Sequence, residues 1–299
     1  MRRILSFRNV VGVSGVCLGS VIWHIGKNSK DTDNLVSNDK WDHNWDRRDP
    51  KYLTKPSKQS QNVPDSQEGG DSLVSVSSVK DYRPVAKRNI LLIRHGQYNQ
   101  DGMTDKERTL THLGRKQSEL TGRRLRELAY PYTILYRSTM TRARETAEII
   151  ERSLPALPVE DSSLLEEGVP FPPEPPSSNW KPELYQYFQD GARIEAAFRK
   201  YFHRAKPSQK EDSYEIFVCH ANVIRYFVCR ALQLPPEAWL RMSLHHASIT
   251  WLTLYPNGRV ALRCYSDAGH MPPCVMSSSG QSTSNMSEIE NMIRASASG

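Results

Sequence analysis

The sequence predicts a three-layer α/β/α sandwich with a mostly parallel sheet, occupying residues 87–274 of a 299-residue chain. Three observations predict it. Strand and helix patterns alternate from residue 87 onward. Two short apolar runs, "ILLI" at 90–93 and "EIFVC" at 215–219, lack polar alternation and read as strands buried on both faces. Each run ends on a histidine at a turn, His95 and His220. The carboxyl ends of such strands are where open α/β sheets place their ligand sites.

The first strand, "NILLIR", delivers Arg94 and His95 to the mouth of that crevice, and Gly96 permits a sharp turn. "RTLTHLGRKQSELTGRRLRELA" follows as a helix, with Thr111 as N-cap and Leu113, Leu120, Leu125 and Leu128 as its apolar face. "YTILYRS" is the next strand. "TMTRARETAEIIERSL" is the next helix, burying Met140, Ala143, Ala147, Ile150 and Leu154. Arg142 falls in its first turn, where a cation opposes the helix dipole unless an anion sits beside it. Pairing with Glu145 or Glu148 is the plainer use of that arginine. "SYEIFVC" is a further strand, ending on His220 and running into the helix "ANVIRYFVCRAL".

The flanks are different. The hydrophobic fraction is 38% and mean hydropathy is −0.61, so part of the chain is expected to stay unpacked. Arg2, Arg3 and Arg8 precede an uncharged run at 10–26, which reads as a short membrane anchor with basic flanks. Gly12, Gly15 and Gly19 weaken that helix. Residues 27–86 are polar and aperiodic and read as a disordered linker. Within it stands "WDHNWD", residues 41–46. Trp41 and Trp45, flanked by Asp42, Asn44 and Asp46, are expected to dock on a neighbouring subunit, or else to clamp on the chain's own domain. The Ser-rich stretch 275–299 is expected to be a disordered tail.

The formal net charge is +7, which suits nucleic acid, anionic membrane or phosphorylated ligands. Zinc-knuckle spacing and aromatic–basic repeats are absent from the sequence, so a phosphate-bearing substrate is favoured over nucleic acid. Cys17, Cys219, Cys229, Cys264 and Cys274 form no C-x-x-C pair, and Cys219 and Cys229 read as small core residues. Such usage suits a reducing compartment.

"LIRHGQ", the L-T-x-x-G of Leu110, Thr111 and Gly114, "SxxxRAxxTA" from Ser138 to Ala147, and "HANVIR" together resemble the histidine phosphatase superfamily, in its phosphoglycerate-mutase branch. "WDxNWDRR", "NWKPE", "DGARIEAAF" and "MPP" further resemble the mitochondrial serine/threonine phosphatases of that branch. The resemblance implies that His95 is the phosphorus-attacking nucleophile, with its second ring nitrogen tied to a backbone carbonyl. It implies Arg94 and Arg142 as phosphate-binding groups and His220 as a further donor. It implies a general acid directly before a glycine, which selects Glu167 over Glu166. No cofactor or metal ion is implied. Tyr98 and Asp101 depart from the R-H-G-E-[ST]-x-x-N pattern of many members, and Asn99 is out of register. The short stretch between Glu167 and His220 suits an open cleft for a phosphoprotein.

By resemblance the chain is expected to be a protein serine/threonine phosphatase without mutase activity. It would form a phosphohistidine intermediate and sit at the mitochondrial outer membrane by a single-pass N-terminal anchor. Its expected partners are phosphoserine and phosphothreonine proteins, among them stress-activated protein kinases and mitochondrial quality-control proteins, and further copies of itself in dimers and larger rings. A small-molecule phosphatase or mutase, and a membrane-tethered scaffold, are the alternatives. The complete Arg94, His95, Arg142, Glu167 and His220 set argues against the scaffold.

Overall fold

The computed structural model describes residues 40–49, 83–178 and 180–278. The expected anchor at 1–26, Cys17, most of the expected linker and the tail beyond residue 278 lie outside the described residues. The chain divides after Trp41, and all the elements below belong to the unit from Asp42 onward. Of the first unit, Lys40 and Trp41 are described and carry no regular secondary structure.

The six-stranded sheet consists of β1 (Arg88–Arg94), β2 (Tyr132–Ser138), β3 (Val159–Ser162), β4 (Ser213–Cys219), β5 (Ile249–Leu254) and β6 (Val260–Asp267), in the order β3-β2-β4-β1-β5-β6. The pairs β1–β4, β2–β4 and β2–β3 are parallel. β5 runs antiparallel to β1, and β6 antiparallel to β5. This closing hairpin turns at Asn257-Gly258, a dipeptide that favours tight turns between strands.

Helices cover both faces: α1 (His112–Leu128), α2 (Thr141–Glu151), α3 (Leu184–Tyr201) and α4 (Ala221–Ala231). Alternate residues of the central strands feed two separate cores, as the two-residue period requires. Leu91, Ile93, Ile216 and Val218 pack with Leu125, Ala143, Ala147 and Ile150 of α1 and α2. Ile90, Leu92 and Phe217 pack with Ile194, Phe198, Val223 and Phe227 of α3 and α4. All seven residues of β1 are buried, so its unbroken apolar run has a physical cause in the two helical layers.

Local sequence signals mark most boundaries. Thr111 caps α1, its hydroxyl accepting from the Gly114 amide at 3.1 Å. The buried face of α1 is more polar than the leucines suggest, since Gln117, Ser118 and Thr121 are buried beside Leu113 and Leu125. The second helix is shorter than its pattern. Met140 stands at the N-cap of α2, and Leu154 packs against the core beyond the helix end. Gly96 and Gly114 allow two backbones to meet. A Cβ on Gly114 would lie 1.9 Å from the Gln97 carbonyl oxygen, and one on Gly96 would lie 2.4 Å from the Gly114 carbonyl oxygen. Close approach, rather than a special backbone angle, therefore explains Gly96. Cys219 and Cys229 are free and buried, as small core residues.

Two boundaries are corrected. The tail does not begin at 275. Val275 is fully buried, and Ser277 hydrogen-bonds Gln117 and His246, so the domain extends to residue 278. The stretch 42–49 is likewise structured, and it docks on the chain's own domain. Its acidic and amide residues build the turn: Asp42 Oδ1 accepts from the Asn44 amide, and Asn44 Oδ1 from the Asp49 amide. Trp45 packs 5.8 Å from Phe198, ring to ring, and its Nε1 donates to the Gly258 carbonyl at 2.8 Å. Asp46 forms a buried ion pair with Arg204 at 2.8 Å, and Arg204 also reaches the His43 carbonyl. Burial pushes the Asp46 carboxyl up, but the Arg204 hydrogen bonds and charge outweigh it and hold it below the usual range. Gly258 has φ +83°, and a Cβ there would lie 2.3 Å from the His43 carbonyl oxygen, so this seat requires glycine.

Candidate active site

The register of β1 and β4 sets the site. Arg94 pairs with Cys219, so His95 and His220 emerge side by side, one residue beyond the strands. Their rings lie 5.2 Å apart, centroid to centroid. His95 is 2% exposed and its backbone is locked from both sides, its amide to the Cys219 carbonyl and its carbonyl to the Ala247 amide. Its Nδ1 lies 2.8 Å from the Gly96 carbonyl oxygen, which can only accept. Nδ1 therefore carries the proton, and the Nε2 lone pair is left for chemistry. Burial first, then the charges of Arg142 and Arg94 and the neighbouring His220, hold this imidazole neutral, well below its usual pKa.

Arg142 comes from the first turn of α2 and is 3% exposed. Its Nε donates to the His95 Nε2 lone pair at 3.3 Å, a bond that gives way when Nε2 meets phosphorus, and its guanidinium lies 4.7 Å over the Tyr98 ring. Its Nη1 makes no hydrogen bond, and the nearest carboxylate on it, Asp105, is 3.7 Å away. Glu145 and Glu148, the alternative partners, are occupied elsewhere: Glu145 by Arg115 and the Leu110 amide, Glu148 by Arg137. A buried cation at a helix N-terminus with a free N–H suits an external anion. Arg94 is anchored by Nη1 to the Leu244 carbonyl at 2.6 Å, and burial lowers its pKa to about 10, so it stays charged.

His220 stands at the N-cap of α4 and is fully buried. Its Nε2 is 2.8 Å from Ser138 Oγ. That hydroxyl accepts from the Met140 amide, and His220 Nε2 is the nearest acceptor for its own proton, which assigns Nε2 as the unprotonated ring nitrogen. His220 Nδ1 then carries the ring proton, and it has no partner. Burial and the Arg142 and Arg94 charges keep this ring neutral as well, well below its usual pKa.

The two loop glutamates separate clearly. Glu166 accepts a very short hydrogen bond from the Thr139 hydroxyl. Glu167 instead lies in the field of Arg142 and Arg94. Burial pushes its carboxyl up, and those charges and the Gly168 amide only partly offset the rise. Its backbone is clamped from α3. Arg193 donates to the carbonyls of Glu166 at 2.6 Å and Glu167 at 3.0 Å, while Asp190 accepts from the Val169 amide and from Arg193. The "DGAR" stretch, which sequence reading used only as a resemblance, is this clamp.

The structure thus brings together Arg94, His95, Arg142, Glu167 and His220. It does not bring Trp45 and Asp46 to them: their partners, Gly258 and Arg204, adjoin the amino end of β1, where Arg88 pairs with Leu254 and reaches the His203 carbonyl. The departures from the family pattern shape the first loop. Asn99 donates to the Glu107 carbonyl and caps the Asp101 amide, and the Tyr98 ring meets His95 edge-on at 5.1 Å. Sequence reading missed His246, whose ring is 5.9 Å from that of His95. It also missed Asn222, which donates to the Gly168 carbonyl, and Arg225, which holds Asn222. Asn222 and Arg225 lie within "HANVIR" and were within reach; "LHHAS" carries no spacing that signals a site.

The family model described as histidine phosphatase superfamily, branch 1, matches residues 90–169 and 173–267. The chain is 56% identical over 233 residues to the mitochondrial serine/threonine-protein phosphatase PGAM5 of Rattus norvegicus, covering 78% of each chain. It is 56% identical over the same length, with the same coverage, to the protein of that name in Homo sapiens. The Drosophila persimilis protein is 53% identical over 234 residues, again with 78% of each covered. Among solved structures, a Plasmodium falciparum phosphoglycerate mutase is 32% identical, with a TM-score of 0.44 over 67% of this chain and 99% of that one.

Proposed function

Because this chain belongs to branch 1 of the histidine phosphatase superfamily, we propose that it is a mitochondrial serine/threonine-protein phosphatase working through a phosphohistidine. One observation carries the mechanism: the buried, neutral His95 with Nδ1 on a carbonyl and Nε2 beside Arg142. The substrate class is supported by the names of relatives more than half identical to this chain.

In the first step the Nε2 lone pair of His95 attacks phosphorus, an N–P bond forms, and the serine or threonine P–O bond breaks. Arg94, Arg142 and His220 hold the phosphoryl oxygens and match the charge that builds there. The leaving alkoxide takes the proton of Glu167, whose raised pKa suits an acid; such a group typically contributes on the order of 10²–10⁴-fold. In the second step the Glu167 carboxylate takes a proton from water. The resulting hydroxide attacks phosphorus, the N–P bond breaks, and inorganic phosphate leaves with His95 neutral again.

The same reading takes residues 1–26 as an outer-membrane anchor and stress-signalling kinases or quality-control proteins as substrates, without mutase activity. A fusion carrying residues 1–35 should reach mitochondria, and the full-length protein should resist carbonate extraction. It also takes the chain as an oligomer in which the 41–46 motif reaches a neighbour. The seat on Arg204 and Gly258 would then be exchanged between copies, and Trp41→Ala with Trp45→Ala should lower the mass seen by light scattering. The experiment that tests the function sets a phosphoserine and phosphothreonine peptide panel beside 3-phosphoglycerate. Peptide hydrolysis with no conversion of 3-phosphoglycerate is expected. Turnover of the small phosphate with inert peptides overturns the reading.

A further inference from the structure

His246 is the buried titratable group that the mechanism above leaves unused. It is 1% exposed, and its ring lies 5.9 Å from that of His95 and within the field of Arg94. It does not belong to the strand-end pair. It precedes β5 and is held by the strap that ends the described chain. The His246 amide donates to the Ser277 carbonyl at 2.9 Å, and its Nδ1 lies 2.9 Å from Ser277 Oγ. Its Nε2 is buried without a hydrogen-bond partner. A buried polar atom left unpaired costs stability unless something else uses it.

The Gln117 end of this network has fixed hydrogen-bond directions. The Gln97 amide donates to Gln117 Oε1 at 2.9 Å, which fixes the Gln117 side-chain amide. Gln117 Nε2 therefore donates, to the Val275 carbonyl at 2.7 Å and to Ser277 Oγ at 2.8 Å. The Ser277 hydroxyl has one proton to give, and His246 Nδ1 is its nearest acceptor in this network, so that proton is placed on the His246 Nδ1 lone pair. The His246 proton is then on Nε2. Three imidazoles thus converge with assigned tautomers: His95 offers a lone pair, while His220 and His246 each offer an unpartnered N–H.

We infer that His246 is a third histidine of the site, a neutral N–H donor to an oxygen of the transferring phosphoryl group, oriented by Gln117 and Ser277 of the C-terminal strap. The inference rests on the phosphohydrolase reading above. A neutral imidazole adds a hydrogen bond without adding charge to a pocket already crowded with guanidinium groups. Burial, then Arg94, hold the His246 pKa down to about 2, so the ring stays in that state throughout the working pH range.

The test uses the full chain, with a phosphothreonine peptide as substrate and orthovanadate as the phosphoryl mimic. His246→Ala should weaken vanadate inhibition and lower kcat/KM together, each by about tenfold, the usual scale of one hydrogen bond to a charged group. Ser277→Ala frees the ring to change tautomer and should produce a smaller loss of the same two quantities. Wild-type vanadate affinity and turnover in a folded His246→Ala protein overturn the inference. If that variant does not fold, nitrogen-15 spectra of the histidine-labelled wild type decide. An Nε2–H resonance of His246 that shifts on vanadate addition supports the assignment. An Nδ1–H tautomer, or a resonance that does not move, overturns it. A His95→Ala protein that keeps its activity would instead remove the underlying phosphatase reading.

Discussion

The two ends of the central strands handle buried charge in opposite ways. At the amino end of β1 and β4, Arg88 meets Glu215 at 2.5 Å and spends its other N–H groups on the carbonyls of Tyr201 and His203. Glu215 also accepts from Ser213. Nearby, Asp46 and Arg204 satisfy each other in the same way. At the carboxyl end, Arg142 Nη1, His220 Nδ1 and His246 Nε2 are buried and make no hydrogen bond. One end pairs its charges internally; the other leaves buried donors unpaired, as a site for an external acceptor would. The lesson is general: buried polar groups are normally paired, so a cluster of unpaired donors of one polarity marks a binding site for acceptors.

The largest expected effect is at the unpaired end. His95→Ala should abolish phosphopeptide hydrolysis, a fall of at least about a thousandfold in kcat, since it removes the lone pair that attacks phosphorus. The loss should be read on protein that circular dichroism shows to be folded. Glu167→Gln should come next, with a loss on the order of 10²–10⁴-fold in kcat for an alkoxide leaving group. Its effect should shrink for p-nitrophenyl phosphate, whose leaving group needs no proton. The pH profile sharpens this: Glu167 must be protonated in the first step, so kcat should fall as pH rises through its raised pKa, and Glu167→Gln should erase that limb.

The paired end should behave conversely. Glu215→Gln removes one partner of a buried ion pair, and breaking such a pair costs about 3–5 kcal/mol. Chemical denaturation should show that loss, while kcat of the folded fraction changes little. If Glu215→Gln lowers kcat at full folding, the separation of the two ends is wrong. The buried imidazoles add a pH dependence to stability. His95, His220 and His246 stay neutral in the folded chain, whereas unfolded histidines take protons near pH 6.5. Below that pH the unfolded chain binds more protons, so stability should fall as the solution is acidified from about 6.5. The smallest effect is expected from Arg193→Lys. Losing the forked contact to the Glu166 and Glu167 carbonyls should cost a few-fold in kcat, with KM nearly unchanged.

Much of the unpaired end was legible in the chain itself. His95 and His220 each end a buried apolar run, and only a parallel pair in register can place both at one crevice. Arg142 was visible as a cation where the helix dipole disfavours one. The paired end was not legible. Asp46 and Arg204 are far apart in sequence, and a long-range ion pair leaves no periodic trace. The Trp45 seat also depends on Gly258, in a hairpin 213 residues along the chain. His246 and Ser277 escaped for a related reason. Their roles come from a hydrogen-bond chain through Gln117, assembled by tertiary contact alone.

The most direct test of the central claim is to trap the intermediate on the wild-type chain. A phosphorus-32-labelled phosphopeptide is mixed with the enzyme, the reaction is quenched in alkali, and the label is mapped by peptide. Acid-labile, alkali-stable phosphate on the peptide containing His95, absent in His95→Ala, is the predicted result. Label on any other residue, or full turnover by His95→Ala, would contradict the assignment of His95 Nε2 as the group that attacks phosphorus.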